Sequence, residues 1–197
     1  MAQPLLIIVN GIPATGKTTT SHKLAADLDM ACVSKDEIKE FLADRLSVRT
    51  LDDSRRIGAL SFQMLFLLME STLSHGEDII VECPFYYEKD QPKVQQILAN
   101  TNARCIEVYC ITDPEVRKER FLNRANSSER HPSHMDTHPG RVIPDETEEE
   151  IVAKYAPLEL GPVITLDNTE FTEAAYKHML KAVHNAIQYE GDASKGE

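Results

Sequence analysis

The apolar run Leu5 to Val9 and Asn10 lead directly into Gly11-Ile12-Pro13-Ala14-Thr15-Gly16-Lys17-Thr18-Thr19, and this junction constrains the fold more than anything else in the chain. Two glycines flanking four residues, followed by Lys-Thr, fit the pattern GxxxxGK[ST]. Glycine lets the backbone turn so that successive N–H groups point inward around a phosphate chain. The helix that follows adds the partial positive charge of its first turn. Residues Gly11 to Thr19 are therefore expected to cradle the phosphates of a nucleotide. Lys17 should reach the β and γ phosphates, and the Thr18 hydroxyl should ligate Mg²⁺.

The remaining elements alternate in the same sense. Strands are expected at 5–10, 31–34, 78–82, 104–112 and 163–166. Helices are expected at 16–28, 36–46, about 53–74 with a glycine stop at His75-Gly76, 91–100, Pro114 to Arg124, from near Pro144, and about 170–189. The second of these shows an apolar face of Ile38, Phe41, Leu42 and Leu46. Strands alternating with helices predict an α/β fold, a parallel sheet covered on both faces with its crevice at the carboxyl ends of the strands. One domain over 1–190 is expected, with a lid at about 120–142 and a disordered tail at 191–197.

Composition narrows the partners. A net charge of −11 over 197 residues disfavours broad nucleic-acid binding, which needs Lys and Arg to displace counterions. Ile57 to Glu70 falls short of the apolar length of a membrane span and is interrupted by Ser61 and Gln63. It reads as a buried helix, so no membrane partner is expected. No targeting segment is visible and the expected location is cytoplasmic, with monomer and homodimer both open. Cys32, Cys105 and Cys110 fall in strands and read as small core residues.

The phosphate loop leaves the reaction open, and the rest of the chain narrows it. Guanine-specific switches need Asn-Lys-x-Asp, and 166–171, LDNTEF, lacks the lysine. The signature of transporter ATPases is absent, and the third strand ends on one acid, Glu82. Asp36, 19 residues beyond Lys17, should face the γ-phosphate and accept a proton from an attacking hydroxyl. Ser34 or Asp36 also suits the N-cap of the helix that opens there. Arg120 and Arg124 share a helical face, with Arg130 in the following loop. All three could neutralise charge on a transferred phosphoryl group.

GIPATGKTTT, SKDEIKEFL, IIVECPF and DPEVRKERFLNR, taken in order, resemble the P-loop kinase family that includes polynucleotide kinase domains, gluconate kinases and zeta-toxin-like phosphotransferases. The resemblance implies a P-loop NTPase three-layer sandwich, its five-stranded parallel sheet ordered 2-3-1-4-5, with a mobile lid and Mg-ATP as donor. It implies Lys17 and Thr18 on phosphate and metal, Asp36 as base, Arg120 and Arg124 in the lid, and Lys39 against the acceptor. Glu82, where the family often has Asp, is assigned to metal or substrate.

Arg55 and Arg56 open the long third helix and are candidates to grip an anionic acceptor. Phe85, Tyr86 and Tyr87 are candidates to wall its pocket, with ordinary packing the alternative. His131, His134 and His138 have spacing that suggests a metal, but lack the cysteines of a zinc lid. Asp145 to Glu150 read as a solvated helix start. The expectation is an ATP-dependent kinase acting on a hydroxyl of a small-molecule acceptor, with ATP and Mg²⁺ as cofactors. Phosphorylation of polynucleotide 5′-hydroxyls and a non-catalytic ATP-dependent regulator are the alternatives.

Overall fold

The computed structural model describes residues 3–128, 130–141 and 145–193. Its centre is β1 (Leu5–Asn10), whose six residues are all buried. A continuous apolar run is what a strand needs when both faces of a parallel sheet are covered. β1 pairs in parallel with β3 (Ile79–Glu82) on one side and β4 (Arg104–Ile111) on the other. β2 (Ala31–Ser34) and β5 (Val163–Asp167) form the edges, giving the order β2-β3-β1-β4-β5. This is the predicted α/β sandwich and strand order.

Alternation along β1 splits the core into two layers. Leu6 and Ile8 face a cluster that includes Leu65, Met69, Leu73, Phe85, Val94 and Ile97, contributed largely by α3 (Leu51–Ser74) and α4 (Tyr87–Thr101). Leu5, Ile7 and Val9 face Leu24, Tyr176, Met179 and Val183, from α1 (Lys17–Leu28) and α7 (Glu173–Ala193). None of the four cysteines is in a disulfide; Cys83, Cys105 and Cys110 are buried and Cys32 is half-buried.

Several predicted boundaries move. α2 spans Lys35–Ala43, and the apolar face assigned to it is only partly used. Phe41 and Leu46 are exposed, while Ile38 is half-buried against the core. The helix follows an edge strand and packs mainly on α3, so its fully buried residue is Lys39. α3, 24 residues long, is long and apolar enough by length and composition to cross a membrane. Here it buries Ile57, Ser61, Leu65, Met69 and Leu73 and leaves Leu60, Leu67 and Leu68 exposed. Its end bears out the glycine stop: Gly76 has φ +80 and Glu77 N–H reaches back to the Thr72 carbonyl.

α4 starts at Tyr87, four residues before the predicted stretch, and carries Pro92 inside the helix, where the ring removes one backbone donor. α5 (Pro114–Ala125) is capped by Asp113. A 3-10 turn follows at Pro132–His134, then α6 at Glu148–Lys154, opened by a Thr147–Glu150 capping box. Pro144, the predicted helix start, lies outside the described residues. α7 runs to Ala193, three residues into the predicted tail, and 194–197 lie outside the described residues.

Candidate nucleotide and acceptor cleft

The loop after β1 holds backbone geometry that few side chains tolerate. Gly11 has φ +139, and a Cβ there would lie 2.2 Å from the Cys110 carbonyl oxygen on β4. Gly16, the left-handed N-cap of α1, would press a Cβ to 3.0 Å from Asn168 Nδ2. Ala14 also sits at φ 71, a conformation costing an L-residue about 1–2 kcal/mol. Thr15 is fastened by its hydroxyl to the Ile12 carbonyl at 2.8 Å, and Asn168 Nδ2 donates to the Thr15 carbonyl at 2.8 Å.

Lys17 is buried, and its Nζ donates to the Ile12 carbonyl at 2.9 Å. Burial lowers its pKa, against the pull of Glu82. Glu82, at the end of β3, is only 4% exposed. Burial raises its pKa, opposed by Lys17 and by the hydroxyls of Ser34 and Thr18. Ser34 Oγ donates to Glu82 Oε2 at 2.7 Å and Thr18 Oγ1 to the same oxygen at 3.4 Å. These are hard oxygen donors of the kind Mg²⁺ takes alongside phosphates and water. Among the described residues no group of three or more His, Cys, Asp or Glu is placed to hold a metal.

The N-cap of α2 is Ser34, whose Oγ accepts from Asp36 N–H at 3.3 Å. Asp36 is thus freed from capping and projects into the cleft from the first turn. Lys35 Nζ lies 3.0 Å from one of its oxygens and Arg130 Nη1 3.6 Å from the other. Burial pushes the Asp36 carboxyl up, but Lys35, His134 and Arg130 together hold it well below the ordinary carboxylate range. It is ionised throughout the physiological range.

P-loop, Asp36 and lid meet in one cleft of about 980 Å³. Pro13, Ala14, Gly16, Lys17, Thr18 and Thr19 form its floor; Gly11, Ile12 and Thr15 shape the loop behind that surface. Arg120, Arg124 and Arg130 line it from the lid side. Arg120 is held by the carbonyls of Asn168 and Thr169 at 2.8 and 3.0 Å, so its donors serve the turn after β5. Among the described residues Arg124 Nε and Asn168 Oδ1 are buried without a partner; the orphaned Arg124 donor, in the wall beside the phosphate loop, fits a phosphate oxygen, whereas the Asn168 oxygen is an acceptor and would need a donor. Arg130 Nε binds Asp136 at 2.7 Å, and Asp136 also pairs with Arg141.

Other candidates are dispersed. Arg55 and Arg56 are exposed and do not line the cleft, because α3 turns Ser54 and Ile57 inward and so points 55 and 56 away. Phe85 is wholly buried in the core and Tyr87 is exposed. Tyr86 lines the cleft, with its ring 5.0 Å from that of Tyr155. The lid histidines serve different partners: His131 meets Asp44 at 3.1 Å, His134 meets Glu40 at 2.8 Å, and His138 Nδ1 accepts from Gly140 N–H. Asn168, Lys35 and Asp136 were not picked out by the sequence. An Asn directly after a terminal strand was the available signal for the first, and nothing local marks Asp136.

A family model described as an AAA domain, AAA_33, matches residues 6–141. The crystal structure of a candidate kinase from Chloroflexus aurantiacus J-10-fl is similar with a TM-score of 0.78 and 30% identity, over 94% of this chain and 99% of that one. Kti12 from Chaetomium thermophilum, in complex with ADP-AlF3, has a TM-score of 0.62 and 18% identity, over 92% and 98%. A gluconokinase from Sinorhizobium meliloti 1021 has a TM-score of 0.52 and 14% identity, over 96% and 99%. The last two show a shared fold. No curated protein matches the sequence.

Proposed function

Because the chain belongs to the AAA_33 family and has a P-loop kinase-like fold, we propose that it transfers the γ-phosphoryl group of ATP to a hydroxyl of a small-molecule acceptor. The observation that carries the reading is the placement of Asp36. An ionised carboxylate, released from capping by Ser34, lines the same cleft as Lys17 and Arg124, whose Nε has no partner among the described residues. Phosphoryl transfer to an alcohol uses such a carboxylate to orient the hydroxyl and take its proton, a hydrolase would turn the same group on water, and acceptor-dependent ADP release separates the two.

The roles follow from the donors. The loop from Gly11 to Thr19 binds phosphate through its N–H groups. Lys17, swung off the Ile12 carbonyl, neutralises the β and γ oxygens, and Thr18 with Glu82 would hold Mg²⁺. When bound, Mg-ATP supplies the phosphoryl group and the metal's charge neutralisation. Arg124 faces the charge that develops on the transferred group, and Arg130, shared between Asp136 and Asp36, ties the lid to the acceptor carboxylate. Because Asp36 is held strongly ionised, its main work is to align the hydroxyl, receiving the proton as the O–H bond weakens in the transition state.

The test is ADP release from Mg-ATP with and without alcohols, for wild type, Lys17→Ala and Asp36→Asn. Acceptor-dependent release should fall about 10²–10⁴-fold in Asp36→Asn while ATP affinity is retained, and Lys17→Ala should weaken both. Full transfer by Asp36→Asn removes the base assignment. Tight ATP binding with no acceptor-dependent release for any alcohol removes the kinase reading.

A further inference from the structure

β4 is an apolar run with a carboxylate in its middle, Glu107 between Ile106 and Val108. A central strand covered on both faces has little use for a charge it cannot solvate. Yet Glu107 is 1% exposed and does not line the cleft. Its oxygens are given instead to three donors: Asn10 Nδ2 at 2.9 Å on Oε1, Glu159 N–H at 3.2 Å on Oε2, and the N–H of Leu158. Burial raises its pKa, and these hydrogen bonds oppose the rise by favouring the ionised form. Neither phosphate binding nor proton transfer employs this group directly.

Asn10 connects Glu107 to the site. It is wholly buried at the end of β1, and its Oδ1 accepts from Gly11 N–H at 2.7 Å and from Phe85 N–H at 3.1 Å. Gly11 opens the phosphate loop, and Phe85 lies three residues past Glu82. Nδ2 reaches the Ala156 carbonyl at 3.5 Å as well as Glu107. One end of an amide only accepts and the other only donates. Turned over, Asn10 would set its NH2 against two N–H groups and its oxygen against a carboxylate. Glu107 thus decides which end of Asn10 faces the loop. The same carboxylate holds the chain at 158–159, where Glu159 has φ 54, a conformation that side chains rarely adopt. This chain closely follows Tyr155, a residue of the cleft.

We propose that Glu107 is a positioning residue of the phosphate site: through Asn10 it sets the entry of the phosphate loop and the turn after Glu82, and it fastens both to the chain at 156–159. This role rests only on the nucleotide-binding half of the phosphotransfer reading. Glu107 and Asn10 act without lining the cleft. Their effect lies in presenting the loop already ordered, so that binding does not have to order it. The coupling is reciprocal: a nucleotide that fixes the loop fixes Asn10, and with it Leu158 and Glu159.

The experiment exchanges the two functional groups. Glu107→Gln keeps the volume, but its NH2 must face either Asn10 Nδ2 or the N–H groups of 158 and 159. Asn10→Asp sets two carboxylates together. Asn10→Asp/Glu107→Gln restores the pattern: the new carboxylate takes Gly11, Phe85 and the new amide, whose oxygen keeps 158 and 159. Affinity for a non-hydrolysable Mg-ATP analogue is measured by calorimetry below the melting range, where stoichiometry counts the folded fraction. Each single variant should bind about ten- to a hundredfold more weakly at unchanged stoichiometry, and the double variant should regain most of the loss. A pair that only supports the fold would lower the stoichiometry or the urea midpoint and leave the affinity unchanged. Wild-type affinity in the folded single variants, or a double variant no tighter than the singles, overturns the proposal. Where neither single variant folds, the double decides: affinity within about tenfold of wild type supports the exchange, and a greater loss overturns it. In wild type, exchange of the Leu158 and Glu159 amides should slow when the analogue saturates the cleft, and unchanged exchange overturns the coupling. Analogue binding without ADP release for any alcohol removes the kinase reading and leaves this role standing, whereas no analogue binding by wild type overturns it.

Discussion

Replacing Lys39 by Met should stabilise the ligand-free protein, although it removes a hydrogen bond. Burial first, and Lys35 next, bring the Lys39 pKa from 10.5 down to about 8. At pH 7 the lysine is charged in both native and unfolded chains, and this difference corresponds to about 3 kcal/mol by which the native state disfavours the ammonium. Methionine keeps the length and apolar stem without the charge. Loss of the 3.0 Å contact to Ser54 Oγ returns about 1 kcal/mol, leaving a net gain of about 2 kcal/mol. With a urea m-value of about 2–3 kcal/mol/M, the midpoint should rise by about 0.7–1 M.

The pH dependence fixes the cause. Below about pH 8 the penalty on wild type is present in full. Between about 8 and 10.5 the native state sheds its proton before the unfolded chain does, so wild-type stability rises relative to the variant. The advantage of Lys39→Met should therefore shrink from about pH 8 and reverse near pH 10. Urea unfolding of both proteins at pH 7, 8.5 and 10 measures this. A variant less stable than wild type at pH 7, or a difference that does not change with pH, refutes the idea that an uncompensated buried charge is held there.

Three other outcomes follow from single contacts. Ser34→Ala removes both the α2 cap and the 2.7 Å hydrogen bond to buried Glu82, and should cost about 2–3 kcal/mol in denaturant unfolding; a loss below about 0.5 kcal/mol contradicts it. Gly11→Ala sets a Cβ 2.2 Å from a β4 carbonyl at φ +139, and should cost about 3 kcal/mol or more and abolish ATP binding, so wild-type ATP affinity would count against the cradle. Burial, with Arg130, outweighs Asp36 and Glu40 and holds the His134 pKa below its ordinary 6.5. The lid's stability is then fully present above pH 6.5 and is lost as pH falls from there toward the lowered value. The exchange protection of residues 130–141, each rate taken relative to its intrinsic rate at the same pH, should fall between pH 7 and 5.5, and His134→Gln should flatten the response; equal protection at both values would exclude His134 as the cause.

The sequence by itself determined whatever depends on neighbours along the chain. GxxxxGKT can bind phosphate only as a turn between strand and helix, and the alternation of apolar runs with helical stretches leaves a parallel sheet as the economical way to bury them. That put Lys17, Thr18 and Asp36 on the right elements before any contact was visible, and the strand order came with the family resemblance. The tertiary structure decided what depends on approach between distant segments. Whether Ser34 or Asp36 caps α2 is settled by Glu82, 48 residues away, which holds the Ser34 hydroxyl. Arg55 and Arg56 looked suited to grip an anionic acceptor, until the turn of α3 placed Ser54 inward and both arginines outward. Lys39 itself, sitting among Ile38, Phe41 and Leu42, gives no local sign that it is the residue α2 buries. Helical periodicity names a face, but only the packing of α2 on α3 selects which face is covered, and that selection buries the Lys39 ammonium.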